Sequence, residues 1–173
     1  MNQLVISCSL SPTSHSALLA ERLVEELRRI EVDTELVDLR SVPLPFCDGD
    51  AAYDDENAKV LAAKITHASA VTLAVPIYNY DVGGAARNLI AMTGSAWNDK
   101  IVGLLGAAGG QRSYMSLMPL ANSLMLDFRS VIVPRYVYAS KQSFADGRLQ
   151  DPVVDERLTL LAQDLCRFAK ALA

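Results

Sequence analysis

Cysteine, histidine and aromatic side chains are scarce in these 173 residues, which contain three cysteines, two histidines and 6% aromatics. Cys8, Cys47 and Cys166 are odd in number, far apart and never in C-x-x-C spacing, and His15 and His67 stand alone. Neither a disulfide framework nor a zinc site is indicated. No run of about 18 apolar residues is present, which excludes a membrane-spanning helix. The first residues lack the basic-then-apolar pattern of a secretory signal, so the expected setting is the cytoplasm. Charge of one sign is missing too. Sixteen Lys and Arg against 20 Asp and Glu leave a net charge of -4, and the cations are scattered, so no nucleic-acid or anionic-lipid partner is expected. Two glycine loops are also absent. Without G-x-G-x-x-G after the first apolar run, or G-K-[ST] anywhere, a dinucleotide fingerprint and a nucleotide-triphosphate loop are excluded.

What is present begins with V-I-S-C-S-L-S-P-T-S-H-S, from Val5 to Ser16. A short apolar run (Leu4, Val5, Ile6) stops at a cluster of hydroxyls, and apolar residues at helical spacing follow at once. Strand, loop and helix N-terminus are compressed into one stretch. The first N–H groups of a helix lack partners inside it and its dipole places positive charge there, so the segment reads as a phosphate cradle. The competing reading makes Ser14 or Ser16 a simple helix cap.

The chain then alternates. Leu19, Leu23, Leu27 and Ile30 mark an amphipathic helix, and Thr34 to Leu39 a second strand. A loop rich in proline follows, then a helix from Asp55 to His67 with Val60, Leu61 and Ile65 as its stripe. Ala70 to Val75 reads as a strand buried on both faces and ended by Pro76. A helix from Gly84 to Thr93, a strand from Lys100 to Leu105 and a helix from Ser113 to Phe128 come next, Pro119 being expected to kink the last. Ser130 to Val133 makes a fifth strand, Pro134 to Asp151 an irregular segment, and Pro152 to Leu172 the closing helix. One domain spanning residues 1–173 is expected, since a chain of this length buries roughly 70% of its unfolded surface. Short apolar strands separated by helices imply a doubly wound α/β fold with a five-stranded parallel sheet, order 2-1-3-4-5, and helices on both faces.

In such sheets ligands bind beyond the carboxyl ends of the strands, beside the point where strand order reverses. The first strand there carries the hydroxyl loop, the third P-I-Y-N-Y-D-V-G-G, and the fourth G-A-A-G-G-Q-R-S. None holds a catalytic triad, a carboxylate pair or a metal-ligand cluster. Tyrosine phosphatases of low molecular weight place C-x5-R after the first strand, but six residues after Cys8 comes Ser14, so neither a thiolate nor a phosphoryl group would meet a cation. The expectation is a cleft for a phosphorylated planar cofactor that brings its own chemistry, with no essential catalytic side chain.

Pro76-Ile77-Tyr78-Asn79, followed by Gly84 and by Arg87-Asn88, resembles the P-x-Y-N...G...[KR]-N signature of the NAD(P)H-dependent FMN reductases, which are flavodoxin-like proteins of this length. The resemblance implies FMN as cofactor and NADPH or NADH as co-substrate. By position it implies Ser9, Ser11, Ser14 and Ser16 for the phosphate, Pro76, Ile77, Tyr78 and Asn79 for the flavin ring, and Gly109 and Gly110 beside it. It implies an enzyme passing electrons to free flavin, a quinone, ferric iron or an azo compound, with a flavin-dependent monooxygenase as one partner. An electron-carrier flavodoxin and a flavin-binding regulatory module are the alternatives. Two departures stand out: Ser11 where many members have arginine, which implies weakly held, exchangeable FMN, and Gly83 where many have proline, which implies a mobile turn. Apolar residues all round Met115 to Leu126 imply a homodimer or homotetramer.

Overall fold

A computed structural model describes residues 1–172. Strand β1 (Asn2–Ser7) lies between β2 (Asp33–Asp38) and β3 (Ala70–Tyr78), and β3 pairs on its other side with β5 (Ile101–Ala108). All of these pairings are parallel. The fifth position is filled by two short strands in succession, β6 (Val131–Ile132) and β7 (Val137–Ser140), both parallel to β5. The flavodoxin-like α/β order expected from sequence is therefore present, with the last strand broken in two.

The break has a local cause. Val102 pairs with Ile132 and Leu105 with Val137, so two residues are looped out of the outer strand around Pro134, which has no N–H for the ladder. The segment expected to be irregular thus contains β7, followed by a turn of 3-10 helix (Lys141–Ser143). A small antiparallel ribbon of β8 (Phe144–Ala145) and β9 (Arg148–Leu149) comes next. Its two-residue turn, Asp146-Gly147, has φ of 49° and 70°, the pattern that Asp-Gly supplies in a tight hairpin.

Helices cover both faces. Helix α1 (His15–Arg29) is capped by Ser14, whose Oγ accepts the Ala17 N–H at 3.1 Å. It buries Leu19, Leu23 and Leu27 against the sheet at roughly 1.5–3 kcal/mol each. It shares that face with α5 (Pro152–Ala171), capped by Asp151 with Pro152 in its first turn. On the other face lie α2 (Glu56–His67), α3 (Gly84–Thr93) and α4 (Met118–Phe128). In α2, Val60 is half exposed, and the buried stripe is Ala58, Leu61 and Ile65, at steps of three and four residues. Pro119 does not kink a long helix. A 3-10 turn (Tyr114–Leu117) precedes α4, and Pro119 sits at its start, where a missing N–H costs nothing.

Alternation along the strands separates two cores. Leu4, Ile6, Val71, Leu73, Val75, Val102 and Leu104 face α2, α3 and α4, whereas Val5, Ala70, Ala74, Ile101 and Leu105 face α1 and α5. Small residues on the second side let the helices approach. A Cβ at Gly103 would lie 2.8 Å from Thr72 Oγ1 and 3.2 Å from Leu165 Cδ2. Gly103→Ala is therefore expected to lower unfolding free energy by about 1–3 kcal/mol, read as a reduced urea midpoint at constant slope. Gly84→Ala, where nothing lies within 4 Å of the new methyl, is expected to leave the midpoint unchanged or raised.

Candidate functional site

Strand β1 ends at Ser7, opposite Ala74, but β3 continues to Tyr78, and β5 runs beside it with Ala107 opposite Pro76. Pro76 therefore extends the strand that sequence expected it to end. Cys8 N donates to Ala74 O, so the same edge of Pro76 lies just past the end of β1, where no ladder donor is required. Its carbonyl instead accepts the Gly83 N–H at 2.8 Å. A proline at position 83 could not make that bond, and a Cβ there would stand 2.9 Å from Pro76 Cγ. Gly83 is tied down, contrary to the mobile turn expected from its sequence.

The notch left by β1 is a cleft of about 380 Å³. Its first wall is the β1–α1 loop and the opening turn of α1, with Ser9, Ser11, Thr13, Ser14 and Ser16. Its floor is Pro76, Ile77 and Tyr78, and its far side Ala107, Ala108 and Gly109. Eight of the ten residues singled out from sequence thus line one cavity. Asn79 and Gly110 do not. Asn79 and Tyr80 have φ of 51° and 64° and form the two-residue turn from β3 into β4 (Asp81–Val82), the pattern of a type I′ turn that asparagine tolerates. The Gly110 carbonyl accepts a hydrogen bond from the Tyr138 hydroxyl.

The hydroxyl wall has donors to spare. Ser9 Oγ accepts the Ser11 N–H and Ser11 Oγ the Thr13 N–H, each at 3.3 Å, and Ser14 Oγ and Ser16 Oγ are 3.0 Å apart. Only one of the last two hydroxyl protons can lie between them. Ser9 and Ser16 are each 1% exposed, so protons without acceptors here are held out of bulk water and beside the first N–H groups of α1. An anion is the complement of that arrangement.

One cleft residue was not foreseen. Lys141, distant in sequence, lines the cleft opposite the serines, and among the described residues no Asp or Glu does so. The cation that the first loop lacks is supplied by the turn after β7. Its local sequence, S-K-Q-S, carries no signal of this; only the strand break at Pro134 delivers it. A second cation holds the loop from behind. Arg40 Nε donates to Asp38 Oδ2 at 2.8 Å and Nη1 to the Pro12 carbonyl at 3.3 Å. The Arg40 hydrogen bonds hold the Asp38 carboxyl below the usual range.

Other residues prove structural. Cys8 is 1% exposed, and burial, with Asp38 nearby, pushes its thiol well above the ordinary value, so it is no nucleophile. His15 lines the cleft, and its ring stacks on Phe144 with centroids 4.3 Å apart. Arg87 Nη2 donates to Asp81 Oδ1 at 2.7 Å, and Asn88 clamps the loop before α2 by accepting the Cys47 N–H and donating to the Pro45 carbonyl. A second cavity, about 470 Å³ between Leu10, Leu44, Phe46 and Ala85, lies behind the first loop, and its polar members Arg40 and Asn88 are committed to these internal bonds. It offers nothing to an anion.

The turn role of Asn79 is open to a direct check. Asn79→Ala is expected to lower stability by about 1–2 kcal/mol, because alanine resists positive φ, while Asn79→Gly keeps it. If flavin affinity instead falls equally in both variants with stability unchanged, the side-chain amide reads the ligand.

Comparison with known proteins identifies the family. An NAD(P)H-dependent FAD/FMN reductase of Geobacillus thermodenitrificans is 30% identical over 171 residues, covering 95% of this chain and 91% of the relative. An FMN-dependent NADPH-azoreductase of Staphylococcus aureus is 30% identical over 182 residues, covering 97% and 95%. In fold, the flavoenzyme NAD(P)H:(acceptor) oxidoreductase FerB of Paracoccus denitrificans superposes with a TM-score of 0.77 at 20% identity, over 98% of this chain and 97% of that one. The family described as NADPH-dependent FMN reductase matches residues 1–144: the chain belongs to the NADPH-dependent FMN reductase family.

Proposed function

We propose that this chain acts as an NAD(P)H-dependent FMN reductase with the flavin in the serine-lined cleft and a small-molecule acceptor taking the electrons. The observation that carries the reading is a run of hydroxyls at the N-terminus of α1, Ser9 and Ser16 buried among them, opening onto a floor of Pro76, Ile77 and Tyr78 in a cleft that no described Asp, Glu or Cys lines. The residues fit the cofactor. A cavity of about 380 Å³ is within the range of roughly 300–1,000 Å³ used for such ligands. Ser9, Ser11, Ser14 and Ser16 would hold the phosphate with the α1 N-terminus, and Pro76, Ile77, Tyr78 and Gly109 would border the ring, with Asn79 and Gly110 supporting it through the backbone. When bound, FMN supplies the redox chemistry, taking hydride from NAD(P)H and releasing electrons to the acceptor.

What the chain contributes is position and access. Gly109 has nothing within 4 Å of where a Cβ would stand, so the side of the cleft it borders is left open for a second planar molecule. That openness favours a reductase over an electron carrier or a non-catalytic module. Free flavin, a quinone, ferric iron and an azo compound are the acceptors considered, and the azoreductase relative favours the last. Supply of reduced flavin to a monooxygenase requires a flavin that exchanges, and a cation in the cleft argues for retention. All three cysteines are unpaired among the described residues, which suits a cytoplasmic setting, and no described helix is long and apolar enough to cross a membrane. The site draws on residues from Ser9 to Lys141, so the proposed functional unit is the chain as a whole.

Anaerobic addition of NADPH to the FMN-loaded protein is expected to bleach the flavin, and an azo or quinone acceptor to restore its colour. A flavin that stays oxidised with both NADPH and NADH would leave only the carrier or regulatory reading. Cys8→Ala is expected to keep turnover; a loss beyond about 100-fold with FMN still bound, roughly 2.7 kcal/mol, would reinstate a thiol mechanism.

We also propose a homodimer or homotetramer. On the segment leading into and along α4, Leu117, Leu120 and Leu124 are buried, whereas Met115, Met118, Met125 and Leu126 remain exposed on its outer side. Charging that side with Met118→Glu and Leu126→Glu is expected to shift the protein toward the monomer in size-exclusion chromatography with light scattering. An unchanged mass would move the interface elsewhere.

A further inference from the structure

We infer that Lys141 is the counter-ion of the FMN phosphate, replacing from the far end of the sheet the arginine that the first loop does not have, and so sets the preference for FMN over riboflavin. The inference rests on the functional reading above and goes beyond it by assigning the discrimination to one side chain.

The turn that carries Lys141 is held firmly on several sides. Strand β7 pairs with β5 as far as Ala108 and Ser140, so the next residue emerges at the same level as the glycine loop. Gln142 Oε1 accepts a hydrogen bond from Gln111 Nε2 at 2.9 Å, which ties the turn to that loop. Ser143 Oγ donates to Asp151 Oδ2 at 3.0 Å, and the Ser143 carbonyl accepts the Gln150 N–H at 2.9 Å. Phe144 stacks on His15, the first residue of α1. Backbone fixed against both the glycine loop and the helix end places the root of the lysine side chain at the cleft that it lines.

That side chain has no partner of its own. Among the described residues, no carboxylate lies within 4.0 Å of the Lys141 ammonium, whereas Arg40 is taken by Asp38, Arg135 by Asp164 and Arg87 by Asp81; Arg112 on the glycine loop has no such pair either but does not line the cleft. The cleft therefore combines one unpaired cation, hydroxyl protons without acceptors and a helix N-terminus, with no negative group to oppose them. A dianion satisfies all three at once; the terminal hydroxyl of riboflavin satisfies none of the charge. Lysine meets a phosphate as a point charge, without the two-pronged geometry of arginine, so its contribution depends on screening by salt.

The test is titration of FMN and of riboflavin, followed by quenching of flavin fluorescence, with protein stripped of bound flavin. Compared are the wild type, Lys141→Met, Lys141→Arg and the double variant Lys141→Met with Ser11→Arg, each checked for native circular dichroism and thermal midpoint. Lys141→Met is expected to weaken FMN by about 5- to 30-fold while changing riboflavin less than about 2-fold. The salt dependence of FMN binding is expected to flatten in the same variant, Lys141→Arg to retain tight binding, and Ser11→Arg to restore it in part. Equal weakening of both flavins would show that the residue only shapes the turn, and unchanged FMN affinity would remove it from the site; either overturns the inference while the reductase reading stands. A wild type that binds neither flavin overturns both.

Discussion

The cleft exists because β1 stops before its neighbours do. Its last ladder residue, Ser7, lies opposite Ala74, whereas β3 runs on to Tyr78 with β5 alongside. A parallel ladder that ended flush would leave only loops to shape a ligand site. The overhang instead supplies a rigid floor made of strand backbone, and it brings the N-terminus of α1 to the level of that floor. Pro76 is suited to the position, since it sits where one edge of β3 has lost its partner and would otherwise present a bare N–H. The same edge is then closed by Gly83, so the carbonyl that would have been stranded is satisfied.

Keeping the floor rigid is the work of the two cores. On one side Leu73, Val75 and Ile77 pack among α2, α3 and α4; on the other, small residues at 70, 74 and 103 let α1 and α5 settle close to the sheet. The close approach of α1 fixes the height of its N-terminus, and hence of the serines. Arg40 adds a brace behind the loop through Asp38 and the Pro12 carbonyl. The apolar cavity behind that loop shows the division of labour: Leu10 and Pro12 face it while Ser9, Ser11 and Thr13 face the cleft. One irregular loop thus separates an apolar surface from a donor-rich one by simple alternation of its side chains.

Much of this was legible along the chain because it is local. The hydroxyl run between Ile6 and Ala17, the apolar runs of strands one, three and four, and the Gly84 to Thr93 helix all follow from neighbours in sequence. Other features depend on distant partners and could not be read in the same way. Pro76 looks like a terminator unless one knows that β1 has already ended beside it. Pro134 looks like the end of the fifth strand, although the edge of β5 is long enough to take up a second segment after a two-residue bulge. Asp146-Gly147 was a local hairpin signal inside the segment read as irregular, and it was there to be found. Asn79 lies in a motif whose resemblance points to the ring, while its own φ assigns it to the turn.

The placement of the basic residue has an energetic consequence that a loop arginine would not have. An arginine in the serine loop would couple ligand binding only to the strand and helix that flank it. Lys141 instead lines the cleft from a segment anchored by β7, by Gln142 and by Phe144, so in the proposed role an anion there would bridge the first and last thirds of the chain. Binding to the folded state alone stabilises it by about 2.7 kcal/mol at a ligand concentration a hundred times the dissociation constant. With the contacts proposed on both sides, that stabilisation would be felt at the short β7 strand and the ribbon beyond it. A broken edge strand is a weak point in an empty sheet. With an anion held as proposed, that edge would become one wall of the site, and the two residues looped out around Pro134 set the level at which Lys141 emerges.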